Sequence, residues 1–273
     1  MKMTIETLYN SIRNTDPNIA IRTVRDLTLI QVSDEHFMAV AVDSDGGIGP
    51  LEHDVVKIPA YISGRFAIRV PLLEILASGA SPVCAFDMLT LPMNDTGKEI
   101  IKGIRDELRA AGLGDDFTVS GSTEDNVPTS MTGIGTAIIG MVKKADMRSG
   151  TTERGDMLIC AGKPKSGPED EVRLDDPEIL PQEAMRAILR TPGVHDVLPV
   201  GSHGVAYESA QMAESAGLML RYRKDTVIDT KKSAGPSTCV LLSCTENAYK
   251  ELVNSIQTPL FEIGYFDMKE KNG

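Results

Sequence analysis

Two aspartates, Asp43 and Asp45, stand directly before Gly46, Gly47 and Gly49 in the stretch "VDSDGGIGP". Asp and Gly both relieve backbone constraint, so one reading is turn chemistry. The other is a magnesium site, because Mg²⁺ takes oxygen ligands and is usually content with one or two carboxylates plus phosphate oxygens and water. A second oxygen-rich stretch, "SGSTEDNVPTS", places Ser122, Thr123, Glu124, Asp125 and Asn126 after Gly121. It reads as a solvated loop, or as hydroxyls and backbone N–H groups around a phosphate with Glu124 or Asp125 on a metal. Glu74 sits among Leu72, Leu73, Ile75 and Leu76. A carboxylate in so apolar a run either turns to solvent or is held by a partner. Asp87, in the middle of "CAFDMLTLP", either faces a functional interior or faces solvent by strand alternation.

Other candidates carry less. Ser202 and His203 in "PVGSHGVAYESA" fall at a strand-to-helix turn, which offers N–H groups to an anion. The stretch does not match GxSxG and nothing supplies an acid for His203, so a serine hydrolase is rejected. His36, His53 and His195 show no metal spacing, and the cysteines (Cys84, Cys160, Cys239, Cys244) form no CxxC pair, so no zinc site is expected. No GxxxxGK[ST] occurs, and "GIGTAIIG" lies within a strand-like run rather than at a strand-to-helix turn.

Alternating elements must position these residues. "HFMAVAVD" is β-rich and leads into the glycine turn. Residues 64–79 follow with Ile68, Leu72, Ile75 and Gly79 at helical spacing, Pro71 marking a kink or the true helix start. Residues 82–91 read as a strand. Thr96 and Glu99 form a capping box for a helix whose face is Ile100, Ile101, Ile104, Leu108 and Ala111, stopped at Gly112. "DFTVSG" and the buried run "TAIIGMV" are strands on either side of the acidic loop. The polar stretch 145–156 marks a boundary, "MLICAG" opens a second α/β half, and the charged, proline-bearing 162–178 is a surface loop. Helices follow at "PQEAMRAILR", "GVAYESAQMAESAG" and "ENAYKELVNSI", with strands at "STCVLLSC" and "PLFEIGYF". The reading is an α/β (α+β) chain of two domains, 1–148 and 149–273.

The composition bounds what such a chain can do. With 273 residues, 41% hydrophobic, 4% aromatic and no Trp, the core is aliphatic. A net charge of −11 argues against nucleic acid and anionic lipid as partners. No apolar run approaches the roughly 20 residues of a membrane span. "MKMTIETLYNSIRNTD" lacks the apolar core of a signal peptide, and the thiols read as reduced and mostly buried, so a cytoplasmic protein is expected.

In order and spacing, roughly residues 20 to 265 resemble the family of aminoimidazole ribonucleotide (AIR) synthetase and thiamine-monophosphate kinase. Selenophosphate synthetase and a hydrogenase-maturation enzyme belong to the same family. "AVAVDSDGGIG" resembles the family strand ending in a metal-binding Asp. "IRVPLLEILASGASPVCAFDMLTLP" is similar to the segment written "NLSDLAAMGAEP" with the strand "ALTLP" after it. "VSGSTEDNVPTSMTGIGTAIIG" resembles the "GGDT" loop, "MRSGTTERGDMLICAG" the "RSGAKPGD" hinge, and "VLPVGSHGVAYESAQMAESAGLML" the "DISDGLAADL" segment. The closing "STCVLLSC" and "AYKELVNS" fit the same pattern.

The resemblance implies a PurM-like fold. In that fold the N-terminal half forms a β-barrel shared within a homodimer, and the C-terminal half is an α/β sandwich. It also implies ATP and Mg²⁺ as cofactors and a small nucleoside-like substrate. On that basis Asp43 and Asp45 hold magnesium, with Glu74 and Glu124 as further ligands. Gly46, Gly47, Gly121, Ser122 and Thr123 lie on the phosphates, and Asp87 and Asp125 act at the acceptor. The departures are specific. Glu74 replaces the "NLSD" Asp, Ser122 the acid of "GGDT", and His203 the Asp of "SDG"; the early "GDDAA" is absent unless Asp26 stands in for part of it. The glycine- and lysine-rich N-terminal segment of selenophosphate synthetase is also missing. These departures imply a divergent member. The expected activity is phosphorylation of the ribose hydroxyl of α-ribazole in cobalamin lower-ligand salvage. The alternatives are a thiamine-monophosphate kinase-like or AIR synthetase-like enzyme, and a nucleotide-binding protein without transfer.

Overall fold

A computed structural model describes residues 2–14 and 20–269. The chain divides into two compact units, one of residues 1–108 and 113–147, the other of 109–112 and 148–273.

The first unit opens with helix α1 (Ile5–Asn14), then β1 (Ile21–Val24), β2 (Leu27–Gln31) and β3 (His36–Gly46). Two short strands, β4 (Ile48–Gly49) and β5 (Val56–Lys57), pair in parallel. Helix α2 (Ala60–Ala77), β6 (Ser81–Leu89), helix α3 (Asp95–Ala110), β7 (Val119–Thr123) and β8 (Gly133–Lys143) complete it. The main sheet has six strands in the order β1-β2-β3-β8-β6-β7, with β6 and β7 parallel.

One face of this sheet is covered by α2. The Thr136 hydroxyl donates to the Ala67 carbonyl at 2.8 Å, and Ile75 packs beside Gly140. The helix is apolar on nearly all sides, as a helix buried all round must be. It runs from Ala60 through Pro71 to Ala77, so Pro71 is interior and does not mark the start. α3 crosses α2 where both lack side chains. A Cβ on Gly64 would stand 2.0 Å from the Ile100 carbonyl oxygen, and one on Gly103 2.1 Å from that of Tyr61. Beside the crossing, Glu107 takes Arg65 at 2.7 Å and Arg69 at 3.2 Å, so a buried carboxylate is held between two guanidinium groups. The α3 cap differs from the expected capping box. The Asn94 side chain accepts from Thr96 N at 2.9 Å and Gly97 N at 3.4 Å, while Glu99 lies near Lys102.

The strand at 136–142 is not buried on both sides. β8 alternates between buried and partly exposed residues over its whole length. The face opposite α2 is apolar yet uncovered: Val42, Phe86 and Met88 are 67%, 36% and 46% exposed.

The second unit contains β9 (Met157–Ala161), α4 (Gln182–Arg190), β10 (Val194–Pro199), α5 (Gly204–Ser215), β11 (Leu218–Tyr222), β12 (Val240–Cys244), α6 (Glu246–Ser255) and β13 (Leu260–Met268). Its five-stranded sheet, β10-β12-β9-β13-β11, is antiparallel throughout. The core joins Leu158, Cys160, Val205, Met212, Leu241, Ile263 and Phe266. The architecture is thus mixed α/β with two principal sheets. All four cysteines are free thiols, three of them buried and Cys84 partly exposed. Among the described residues no helix is long and apolar enough to cross a membrane.

Candidate functional site: a carboxylate row across the first sheet

Strand pairing places distant residues in one row. Asp43 on β3 stands opposite Thr136 on β8, Thr136 opposite Asp87 on β6, and Asp87 opposite Gly121 on β7. The next row runs Asp45, Ile134, Leu89, Thr123. The aspartates are therefore part of the strand rather than of the turn after it, and alternation turns both to one side, away from exposed Val42 and Ser44.

The pair is electrostatically uncomfortable. Burial, with the Asp43 carboxylate beside it, pushes Asp45 up to about 7. Burial also raises Asp43, against the lowering hydrogen bond from Ser44, and Asp26 adds further repulsion. Two half-buried carboxylates raised by desolvation and by neighbouring negative charge suit a divalent cation, which would relieve both effects. Magnesium needs only one or two carboxylates when phosphate and water complete its shell. The donor set therefore fits Mg²⁺ bound with a phosphate. It does not form an all-protein cage, because among the described residues no three His, Cys, Asp or Glu side chains converge on a metal position.

The glycine turn begins where β3 ends. A Cβ on Gly46 would meet nothing within 4 Å, and Gly47 has φ +73°, a conformation glycine adopts without strain. Beyond it, Asp54 is buried and accepts three hydrogen bonds, from Leu51 N, Thr132 N and the Thr132 hydroxyl, each at 2.7 Å.

Several expected site residues lie elsewhere or are otherwise engaged. Glu74 is buried, and it lies two turns along α2 from Ala67, roughly 10 Å from the Thr136 row. Thr123, and the acidic loop after it, are three strands from Asp45, roughly 14 Å at the usual strand spacing. There the Thr123 hydroxyl donates to Asp125 at 2.9 Å, whose other oxygen accepts Met93 N at 2.8 Å. Glu124 accepts Asn126 N and Val127 N, and these bonds lower its pKa. These bonds organise the loop itself. Ser122 is exposed on edge strand β7. The space at Gly121 is filled by the Asp87 carboxyl, which is a packing reason for the glycine rather than a phosphate cradle. Asp87 is 3% exposed on the α2 side, and its pKa is raised by burial against the opposing Arg105 charge. That burial weighs against contact with a substrate hydroxyl.

In the second unit, His203 precedes α5 with its ring 4.7 Å from that of Tyr207 and makes no side-chain cap. The 162–178 loop encloses a cleft of about 420 Å³ lined by Lys165, Asp170, Arg173 and Asp176. Its cations are already paired, Lys165 with Asp176 at 2.6 Å and Arg173 with Asp175 at 2.6 Å. Asp54 was not singled out from sequence. Its only local signal is one more Asp in "GPLEHDVV", because Thr132 is 78 residues away.

Comparison with known proteins agrees with this architecture. Residues 25–142 match the family described as AIR synthase related protein, N-terminal domain. A selenide, water dikinase of Shewanella sp. (strain W3-18-1) is 23% identical over 228 residues, covering 78% of this chain and 62% of that protein. The chain thus spans less than two thirds of that curated relative's length. Among solved structures, AaThiL complexed with AMPPCP and TMP superposes with a TM-score of 0.63 at 13% identity, covering 97% of this chain and 90% of that one. A thiamine-monophosphate kinase from Stenotrophomonas maltophilia K279a gives 0.58 at 16% identity, covering 99% and 96%. At such identities the structural likeness speaks for fold. Residues 25–142 are thus similar to that N-terminal domain, and the chain as a whole shares the fold of these solved structures.

Proposed function

We propose that this protein is a magnesium- and ATP-dependent enzyme that transfers a phosphoryl group to a small molecule. The observation that carries the reading is the Asp43–Asp45 pair. Both carboxylates are desolvated and raised, they face one side of a strand, and the open backbone at Gly46 follows them. Bound magnesium would supply charge neutralisation for phosphoryl transfer, with Asp43 and Asp45 as its protein ligands. Gly46 and Gly47 allow a phosphate to approach the main chain. Glu124, Asp125, Ser122 and Thr123 belong to the far side of the row, where they can meet another part of a bound molecule.

The fold-level likeness to a protein complexed with AMPPCP supports a nucleotide ligand. The acceptor is a finer matter. A thiamine-monophosphate kinase among the neighbours favours that kind of acceptor over α-ribazole. The replacement of family carboxylates by Ser122 and His203 favours, as the second reading, a nucleotide-binding protein without transfer. We also propose a homodimer formed through the uncovered face. Val42, Ala137 and Phe86 share one row there and Ser44, Gly135 and Met88 the next, an apolar surface a monomer would leave wet.

The test is ADP release with Mg-ATP across a panel that includes thiamine monophosphate and α-ribazole, with products read by mass. A gain of one phosphate on either compound identifies both the reaction and the acceptor. ADP with no phosphorylated alcohol points to an AIR synthetase-like reaction. Nucleotide binding with no ADP means the scaffold binds without transfer.

A further inference from the structure

The glycine turn and the acidic loop are far apart in sequence, yet one buried side chain fastens them. Asp54 and Thr132 are 5% and 1% exposed. Asp54 Oδ1 accepts Thr132 N, and Oδ2 accepts both the Thr132 hydroxyl and Leu51 N. A buried carboxylate is costly unless its lone pairs are engaged, and here three donors engage it. The backbone reinforces the join: Gly47 N donates to the Thr132 carbonyl and His53 N to that of Ser130, both at 2.8 Å. Gly49 makes the approach possible, since a Cβ there would stand 2.4 Å from Thr132 Oγ1.

We propose that Asp54 is a positioning residue. Through Thr132 it locks the glycine turn at 46–49 to the acidic loop at 124–131, so that both sides of the nucleotide site hold one geometry. The proposal rests on the Mg-ATP reading above. A turn-closing aspartate alone would need only Leu51 N. Bonding both polar groups of Thr132 ties the turn to a second segment, and that segment leads directly into β8 opposite Asp45. Substitution of the latch should therefore loosen phosphate positioning rather than remove a reacting group.

The experiment compares wild type with Thr132→Val, Thr132→Ser and Asp54→Asn in the full chain. Hydrogen exchange is read over residues 46–57 and 124–131, Mg-AMPPCP binding by titration, and ADP release by steady-state kinetics. Thr132→Val and Asp54→Asn should speed exchange in both segments and raise KM for Mg-ATP about tenfold, with kcat changed less than about threefold. Thr132→Ser, which keeps the hydroxyl, should behave as wild type. Faster exchange confined to 46–57, or unchanged KM with both segments loosened, overturns the proposal. If Thr132→Val does not fold, Asp54→Asn decides. A wild type that neither binds Mg-AMPPCP nor releases ADP overturns the nucleotide reading, and the exchange data alone then decide whether the latch joins the segments.

Discussion

The Asp87 carboxyl occupies the place a side chain on Gly121 would take: a Cβ at Gly121 would stand 2.4 Å from Asp87 Cγ and 2.3 Å from the Asp87 carbonyl oxygen. Parallel pairing of β6 with β7 fixes this approach. Gly121→Ala must push β7 off the sheet edge or displace a buried carboxylate. A loss of about 1–3 kcal/mol is expected, the usual cost of overpacking. Urea denaturation measures it. Asp87→Ala in the same chain should recover only part, because the carbonyl contact remains. An unchanged midpoint for Gly121→Ala would mean the edge is loose.

The α3 cap offers a second measurement. Asn94 accepts Thr96 N and Gly97 N, so Asn94→Ala should cost about 1 kcal/mol in the same assay. Thr96→Ala should cost a few tenths at most, because Thr96 only donates its backbone N–H there. The reverse order would restore Thr96 as the cap.

These two cases show which features the sequence made legible. The helices at 182–190, 204–215 and 246–255 were visible because periodicity and glycine stops are local signals. The Asp43–Asp45 pair was visible for the same reason, since two residues on one strand share a face whatever pairs beside them. The cap was misassigned because "MNDTGKE" holds three N-cap residue types in a row, and only backbone geometry selects among them. Gly121 was read as a phosphate contact because its true neighbour, Asp87, lies across a strand pairing that no local pattern announces. β1, β2 and β11 were not read at all, being 4 or 5 residues long with weak alternation. Asp54 was missed for want of any sign pointing to Thr132.

The uncovered sheet face makes a prediction about assembly. Phe86 lies on that face opposite Ala137, two residues along β6 from exposed Met88. Phe86→Asp would place a charge inside any contact formed by that face. We expect the wild type to run as a dimer by light scattering and Phe86→Asp as a folded monomer, because a buried unpaired charge opposes association. A wild-type monomer, or an unaffected dimer, would sink the proposed interface.

The raised carboxylates set a pH dependence that tests the metal site directly. Folding lifts Asp45 from 3.8 to about 7, so between those values the native protein holds a proton the unfolded chain has lost. Its contribution is fully present below pH 3.8 and is lost as pH rises through 7; the raised Asp43 adds the same sign. At about 1.4 kcal/mol per unit the ceiling for Asp45 is about 4 kcal/mol, and partial exposure reduces it to roughly 2. In magnesium-free buffer, thermal stability should therefore fall from pH 5 to pH 8, and Asp45→Asn should flatten that slope. Magnesium competes with the proton, so Mg²⁺ with AMPPCP should stabilise wild type more at pH 8 than at pH 6. Asp43→Asn should weaken that stabilisation and lower any Mg-ATP turnover by about tenfold or more while leaving the fold intact. A metal-free stability that ignores pH in wild type and Asp45→Asn alike, together with undiminished turnover in Asp43→Asn, would remove both aspartates from the reaction.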